Sequence, residues 1–197
     1  MAERVARKLG FHYLDSGALY RLVALAASRA RIAPEQAAPV AERLDVRFDA
    51  GDVWLSGARV TDAIRAEEVS AASSRVAAVP AVRAALLERQ RRFRQPPGLV
   101  AEGRDMGSIV FPDASLKVFL TASPESRAER RYKQLKDKGI TATLAGLLQD
   151  LRERDARDAS RSVAPLKQVP DARLLDTTHM SAAQAAARIV GWYRGKA

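Results

Sequence analysis

Apolar residues recur along this chain with two different periods. In residues 16–27, Leu19, Leu22, Val23, Ala26 and Ala27 fall at i, i+3, i+4, i+7 and i+8. That spacing lines one face of an α-helix, and Ser16 stands where a capping hydroxyl is wanted. Val5 and Leu9 are four apart, so residues 2–9 read as helix, ended by Gly10. Further helices are predicted over 34–44, 67–77 and 80–93, the last with Pro80 at a first position, where a missing N–H goes unused. Downstream, Ser123 opens a helix to about residue 138, and Thr143 caps one whose stripe is Leu144, Leu147, Leu148 and Leu151. Ser181 caps a last helix.

The second period is that of strands. Val46-Arg47-Phe48 and Val53-Trp54-Leu55 alternate and are set off by Gly51 and Gly57, which predicts a small antiparallel sheet inserted between helices. Residues 99–101 and 116–120 are short apolar runs of the buried-strand kind, and 11–14 and 174–175 are further short strands. Strands alternating with helices predict an α/β layered fold with a largely parallel sheet, in one domain spanning 1–197.

Composition narrows the chemistry. Hydrophobic residues make up 47%, enough for a core. Cysteine is absent and only His12 and His179 are present, which excludes thiolate or histidine-rich metal centres. No apolar run reaches the ~18 residues of a membrane helix. The charged N-terminal stretch has no secretory segment, so the expected address is cytoplasmic. The net charge of +10 fits an anionic partner, or an arginine-rich composition without functional meaning.

Three constellations bear on that choice. Tyr13-Leu14-Asp15-Ser16-Gly17-Ala18-Leu19-Tyr20-Arg21 joins a strand end to a helix start, whose free amides attract phosphate, with Arg21 one turn further on. The alternative is a capped helix with a solvated arginine. Glu102-Gly103-Arg104-Asp105-Met106-Gly107 follows a strand, the side on which open α/β sheets bind ligands, and the planar fork of Arg104 suits phosphate. Here the alternative is a turn with a local ion pair. Arg154, Asp158 and Arg161 share one helical face, either as a phosphate clamp or as a salt-bridged surface, and the second reading also covers Arg127, Arg130, Arg131 and Lys133. For a cytosine base, Asp105 could accept from the amine, Arg83 donate to the ring acceptors, and Ser74 do either. Exposed helix positions are the alternative for Arg83 and Ser74.

The strings Leu14-Asp15-Ser16-Gly17-Ala18-Leu19-Tyr20-Arg21, Val79-Pro80-Ala81-Val82-Arg83, Glu102-Gly103-Arg104-Asp105-Met106-Gly107 and Glu153-Arg154-Asp155 together resemble the bacterial cytidylate kinases. The resemblance runs from about residue 2 to the last helix. It implies a three-layer P-loop kinase-type fold with a CMP-binding insert around 46–64 and a helical lid around 142–161. It implies phosphorylation of CMP and dCMP by ATP with Mg2+, in a monomer without membrane or specific nucleic-acid partners. By position it implies that Ser16, Arg21 and Arg104 hold the monophosphate and that Ser74, Arg83 and Asp105 read the cytosine. Asp158 would meet the ribose, and Arg104, Arg154 and Arg161 would act near the transferring phosphoryl group.

One departure from the family is large. G-x-x-x-x-G-K-[ST] occurs nowhere in the 197 residues, and Gly195-Lys196 has the wrong spacing and no following hydroxyl. Residues 2–9 match the helix that follows that loop in the family. The expectation is therefore that the first strand and the loop are missing, that a misplaced start has removed about 25 residues, and that the chain is impaired, unstable and prone to associate. A non-catalytic CMP-binding protein is the other reading. A basic nucleic-acid-binding domain fits poorly, with aromatic content of 6%.

Overall fold

The computed structural model describes residues 1–49, 51–137, 139–160, 163, 164 and 166–195. In chain order the regular elements are α1 (Ala2–Leu9), β1 (His12–Asp15), α2 (Ser16–Arg29), α3 (Ala38–Glu42), β2 (Val46–Asp49), β3 (Asp52–Leu55), β4 (Ala58–Arg59), α4 (Glu67–Val76), α5 (Pro80–Arg91) and β5 (Leu99–Glu102). They continue with β6 (Val118–Thr121), α6 (Pro124–Lys136), α7 (Leu144–Ser160), β7 (Arg173–Asp176) and α8 (Ala182–Arg194). The chain divides into two compact units, one of His12–Gly103 and one of Met1–Phe11 with Arg104–Ala197.

In the His12–Gly103 unit the helical stripe read from the sequence is the core. Leu19, Leu22 and Val23 of α2 are fully buried, and α2 packs on α4 with Val69 and Val76. Ala41 of α3 and Val82 and Leu86 of α5 close a second contact between those helices. β1 and β5 pair in parallel, Tyr13 opposite Val100. The insert forms a three-stranded antiparallel sheet in the order β2-β3-β4. Its second turn is Ser56-Gly57, with φ of 50° and 78°, the left-handed pair that a two-residue hairpin needs to match strand twist. On this sheet Arg47 lies over the Trp54 ring, 5.0 Å from its centroid.

In the other unit β6 and β7 form a parallel pair, Phe119 opposite Leu174. α1 packs on α8, and the Phe11 and Tyr193 rings meet edge to face at 5.5 Å. α6 and α7 pack through Ala128, Leu135 and Leu147, with Ala142, Leu148 and Leu151 at the margin. Arg127 of α6 takes both carboxylate oxygens of Asp155 on α7, with one contact of 3.0 Å, and Arg152 reaches Glu125 at 3.1 Å. Arg130 donates to the carbonyls of Thr177, Thr178 and Met180. Arg127, Arg130 and Arg152 are thus engaged in ties within the unit.

Four local readings change. The helix expected over 34–44 is broken into a short 3-10 turn at Pro34–Gln36 and α3, because Pro39 cannot donate inside a continuous helix. Asp15, not Ser16, caps α2: its side chain accepts from the Ala18 amide at 3.1 Å. Met106–Val110 is a wide π-type turn where the sequence offers only a glycine-flanked loop. The runs at 99–101, 116–120 and 174–175 give strands that are not fully buried, with Leu120 45% and Leu174 56% exposed.

That exposure has a structural reason. The parallel strands form two pairs rather than one wide sheet, so among the described residues each strand has one strand neighbour. An unpaired edge beside apolar side chains is a template for association. The apparent molar mass of the chain from light scattering is expected to rise with concentration, and Leu174→Lys to suppress the rise while shifting stability by less than about 0.5 kcal/mol. Scattering unchanged by that substitution would contradict the assignment of the sticky edge.

Candidate functional site

The first set of residues lies in the His12–Gly103 unit, at the start of α2. Capping by Asp15 leaves Ser16 as the first helical residue, only 2% exposed, and its hydroxyl donates to Gln90 Oε1 on α5 at 2.8 Å. Arg21 turns back over the same helical turn, with Nη2 3.9 Å from Asp15 Oδ2. Glycine at position 17 permits this. A Cβ there would lie 3.1 Å from Arg21 Nη2 and 3.1 Å from Asp15 Oδ1, closer than side chains normally approach. Helix-start amides, a hydroxyl and a guanidinium thus share one turn, an arrangement suited to an anion.

α4 and α5 carry the next two residues. Arg83 is 9% exposed, so the exposed-helix alternative fails for it. Its Nη1 donates to the Ala77 carbonyl at 3.0 Å, and the guanidinium lies over the Tyr20 ring, 5.7 Å from the centroid. Ser74 is also buried, and its hydroxyl has no hydrogen-bond partner among the described residues. A buried polar atom without a partner costs about 1–3 kcal/mol, so such atoms are rare unless something else binds them. A cation kept from water and an unmet hydroxyl are what a polar ligand would find here.

The second set lies in the other unit. Asp158 on α7 is 1% exposed and takes Arg104 Nε at 2.8 Å, with Arg154 Nε at 3.9 Å. Arg104 therefore pairs with a residue 54 positions away. Glu102 instead accepts from the Tyr13 hydroxyl. Asp105 is 5% exposed, and its carbonyl accepts from the Ile109 and Val110 amides at 2.9 and 3.2 Å, which winds the wide turn. Such π-type turns are frequent at functional sites. Arg161 lies outside the described residues.

Sequence reading missed Gln90, which is 1% exposed and holds Ser16. The signal was present: Arg83 and Gln90, seven apart, interrupt the stripe of Val82 and Leu86 with polar groups. Polar residues in a helix's buried stripe need partners, and these two find theirs on or beside the start of α2.

The family model for cytidylate kinase matches residues 1–194. A cytidylate kinase of Chromobacterium violaceum is 56% identical over 199 residues, covering 100% of this chain and 90% of the relative. One from Nitrosococcus oceani is 51% identical over 205 residues, with the same coverage of 100% and 90%. One from Bordetella pertussis is 56% identical over 196 residues, covering 98% of this chain and 88% of the relative.

Asp158→Asn tests the pairing in the second set. It leaves two guanidinium groups against a neutral amide, and because Arg104 is partly exposed the expected loss is about 1–3 kcal/mol. Urea unfolding measures it; an unchanged midpoint would mean that the pair contributes nothing.

Proposed function

Because the chain belongs to the cytidylate kinase family, we propose that it serves the phosphorylation of CMP and dCMP in pyrimidine nucleotide metabolism, as a monomer in the cytoplasm. The observation that carries the reading is the buried Ser74 hydroxyl without a partner, one helix before the buried Arg83. These are a donor-acceptor and a donor, which suits the ring of cytosine. In the same unit Ser16 and Arg21 receive the phosphate side. In the other unit Arg104 serves the monophosphate, Asp105 accepts from the base amine, and Asp158 meets the ribose. Arg154 and Arg161 neutralise charge on the phosphoryl group in transfer.

The chemistry asks little of a general base. A CMP phosphate oxygen is already ionised near neutral pH, so the nucleophile is ready, and catalysis consists of alignment and charge neutralisation. The guanidinium groups stay charged at any working pH and present planar donor pairs to phosphate oxygens. The tie from Arg104 Nε to Asp158 fixes the plane of one of them.

Cytidylate kinases take the phosphate from ATP, usually with Mg2+. The residues present do not fit that partner. The glycine-rich loop with its lysine and hydroxyl is absent from the 197 residues, and no group of three or more His, Cys, Asp or Glu among the described residues could hold a metal ion. A polypeptide of these residues is therefore a CMP binder with poor turnover.

With CMP and Mg-ATP, ADP release by the 197-residue chain is expected well below ~1 s⁻¹, the lower end of ordinary enzyme turnover. Turnover within the ordinary range would refute the impairment. In calorimetry, Arg83→Met is expected to weaken CMP binding about tenfold or more through the loss of a buried donor; unaltered affinity would remove Arg83 from the base contact.

A further inference from the structure

Gln90 has no role in the reading above, yet it is among the most buried polar side chains of the protein, at 1% exposure, and it touches a proposed ligand of CMP. Its amide orientation follows from its neighbours. Nε2 lies 3.3 Å from the Leu86 carbonyl, which can only accept, so nitrogen belongs at that end. Oε1 then faces Ser16 Oγ at 2.8 Å, and because an amide oxygen only accepts, the serine is the donor.

A serine hydroxyl has one proton, and here it is committed. The ionised oxygens of a nucleotide phosphate are acceptors too. Ser16 can bond to such an oxygen only by turning its O–H away from Gln90, which leaves Oε1 buried with no donor. Resting on the reading that Ser16 receives the phosphate, we propose that Gln90 is an affinity-setting residue for CMP: it holds the Ser16 proton in the nucleotide-free protein and so opposes capture of the phosphate group. The exchange replaces one hydrogen bond by another, and the net gain from Ser16 is small. The function of such a brake is release. The Arg21 guanidinium on the same turn attracts phosphate, and a hydroxyl that must be won from an internal acceptor keeps the nucleotide from being held too long.

The sign of the effect separates this role from a structural one. Gln90→Met keeps length and removes the acceptor, so the Ser16 hydroxyl waits unpaired for the ligand. Calorimetry is expected to show CMP bound about tenfold tighter by this variant than by the unsubstituted chain, the size of one buried unmet acceptor. Cytidine, which has no phosphate, should bind both proteins equally. A variant that merely loosens the fold would weaken both ligands. Ser16→Ala should change CMP affinity by less than about threefold, since it deletes both sides of the exchange. Adding Gln90→Met to Ser16→Ala should then change nothing further.

CMP affinity equal to or weaker than that of the unsubstituted chain in Gln90→Met overturns the proposal, as does tightening shared by cytidine. If Gln90→Met fails to fold, Ser16→Ala alone decides: a loss of tenfold or more shows that the serine bond to phosphate is not offset, and the proposal falls. An unsubstituted chain that does not bind CMP overturns the site reading together with the proposal. CMP binding with the wrong response to Gln90→Met overturns the proposal alone.

Discussion

A polar group removed from water must find another partner, and the candidate binding residues are arranged by that constraint. Ser16 satisfies it through Gln90, Arg83 through the Ala77 carbonyl and the Tyr20 ring, and Asp158 through Arg104. Each of these contacts fixes a side chain that a hydrophobic core alone would leave with several rotamers. Ser74 is the exception, a buried hydroxyl with capacity to spare among the described residues. Satisfied groups set the frame, and an unsatisfied hydroxyl has capacity for a further partner.

The sequence was legible where periodicity decided the outcome. The α2 stripe, the hairpins around Gly51 and Gly57, and the caps at Ser123, Thr143 and Ser181 follow from spacing and from the orphan amides of a helix start. Ser181 and Gln184 even form the reciprocal capping box. Spacing was silent where two residues compete for one duty. Asp15 and Ser16 can both cap, and the choice fell to Asp15 because Ser16 had a buried partner 74 residues away. For the same reason spacing left an exposed position open as the alternative for Arg83 and Ser74: burial of a polar side chain depends on what packs over it. The Arg104–Asp158 pair was hidden by its separation of 54 residues in the chain.

The parallel strands show the opposite kind of limit. Their apolar runs predict burial on both faces, which a wide sheet supplies and a two-stranded pair does not. The half-exposed β5 and β6 carry a composition suited to more neighbours than the described residues provide. The glycine-rich phosphate loop is likewise absent from the 197 residues, whereas the residues assigned to the nucleoside monophosphate are present.

Base discrimination is the most direct measure of nucleotide recognition. Cytosine carries an amine where uracil carries an oxygen, so a carboxylate such as Asp105 accepts from one and opposes the other. Calorimetric titration of the chain with CMP and with UMP under the same conditions should give one site, with CMP held at least about tenfold more tightly. Equal affinity for the two, or no binding of CMP, would contradict the account.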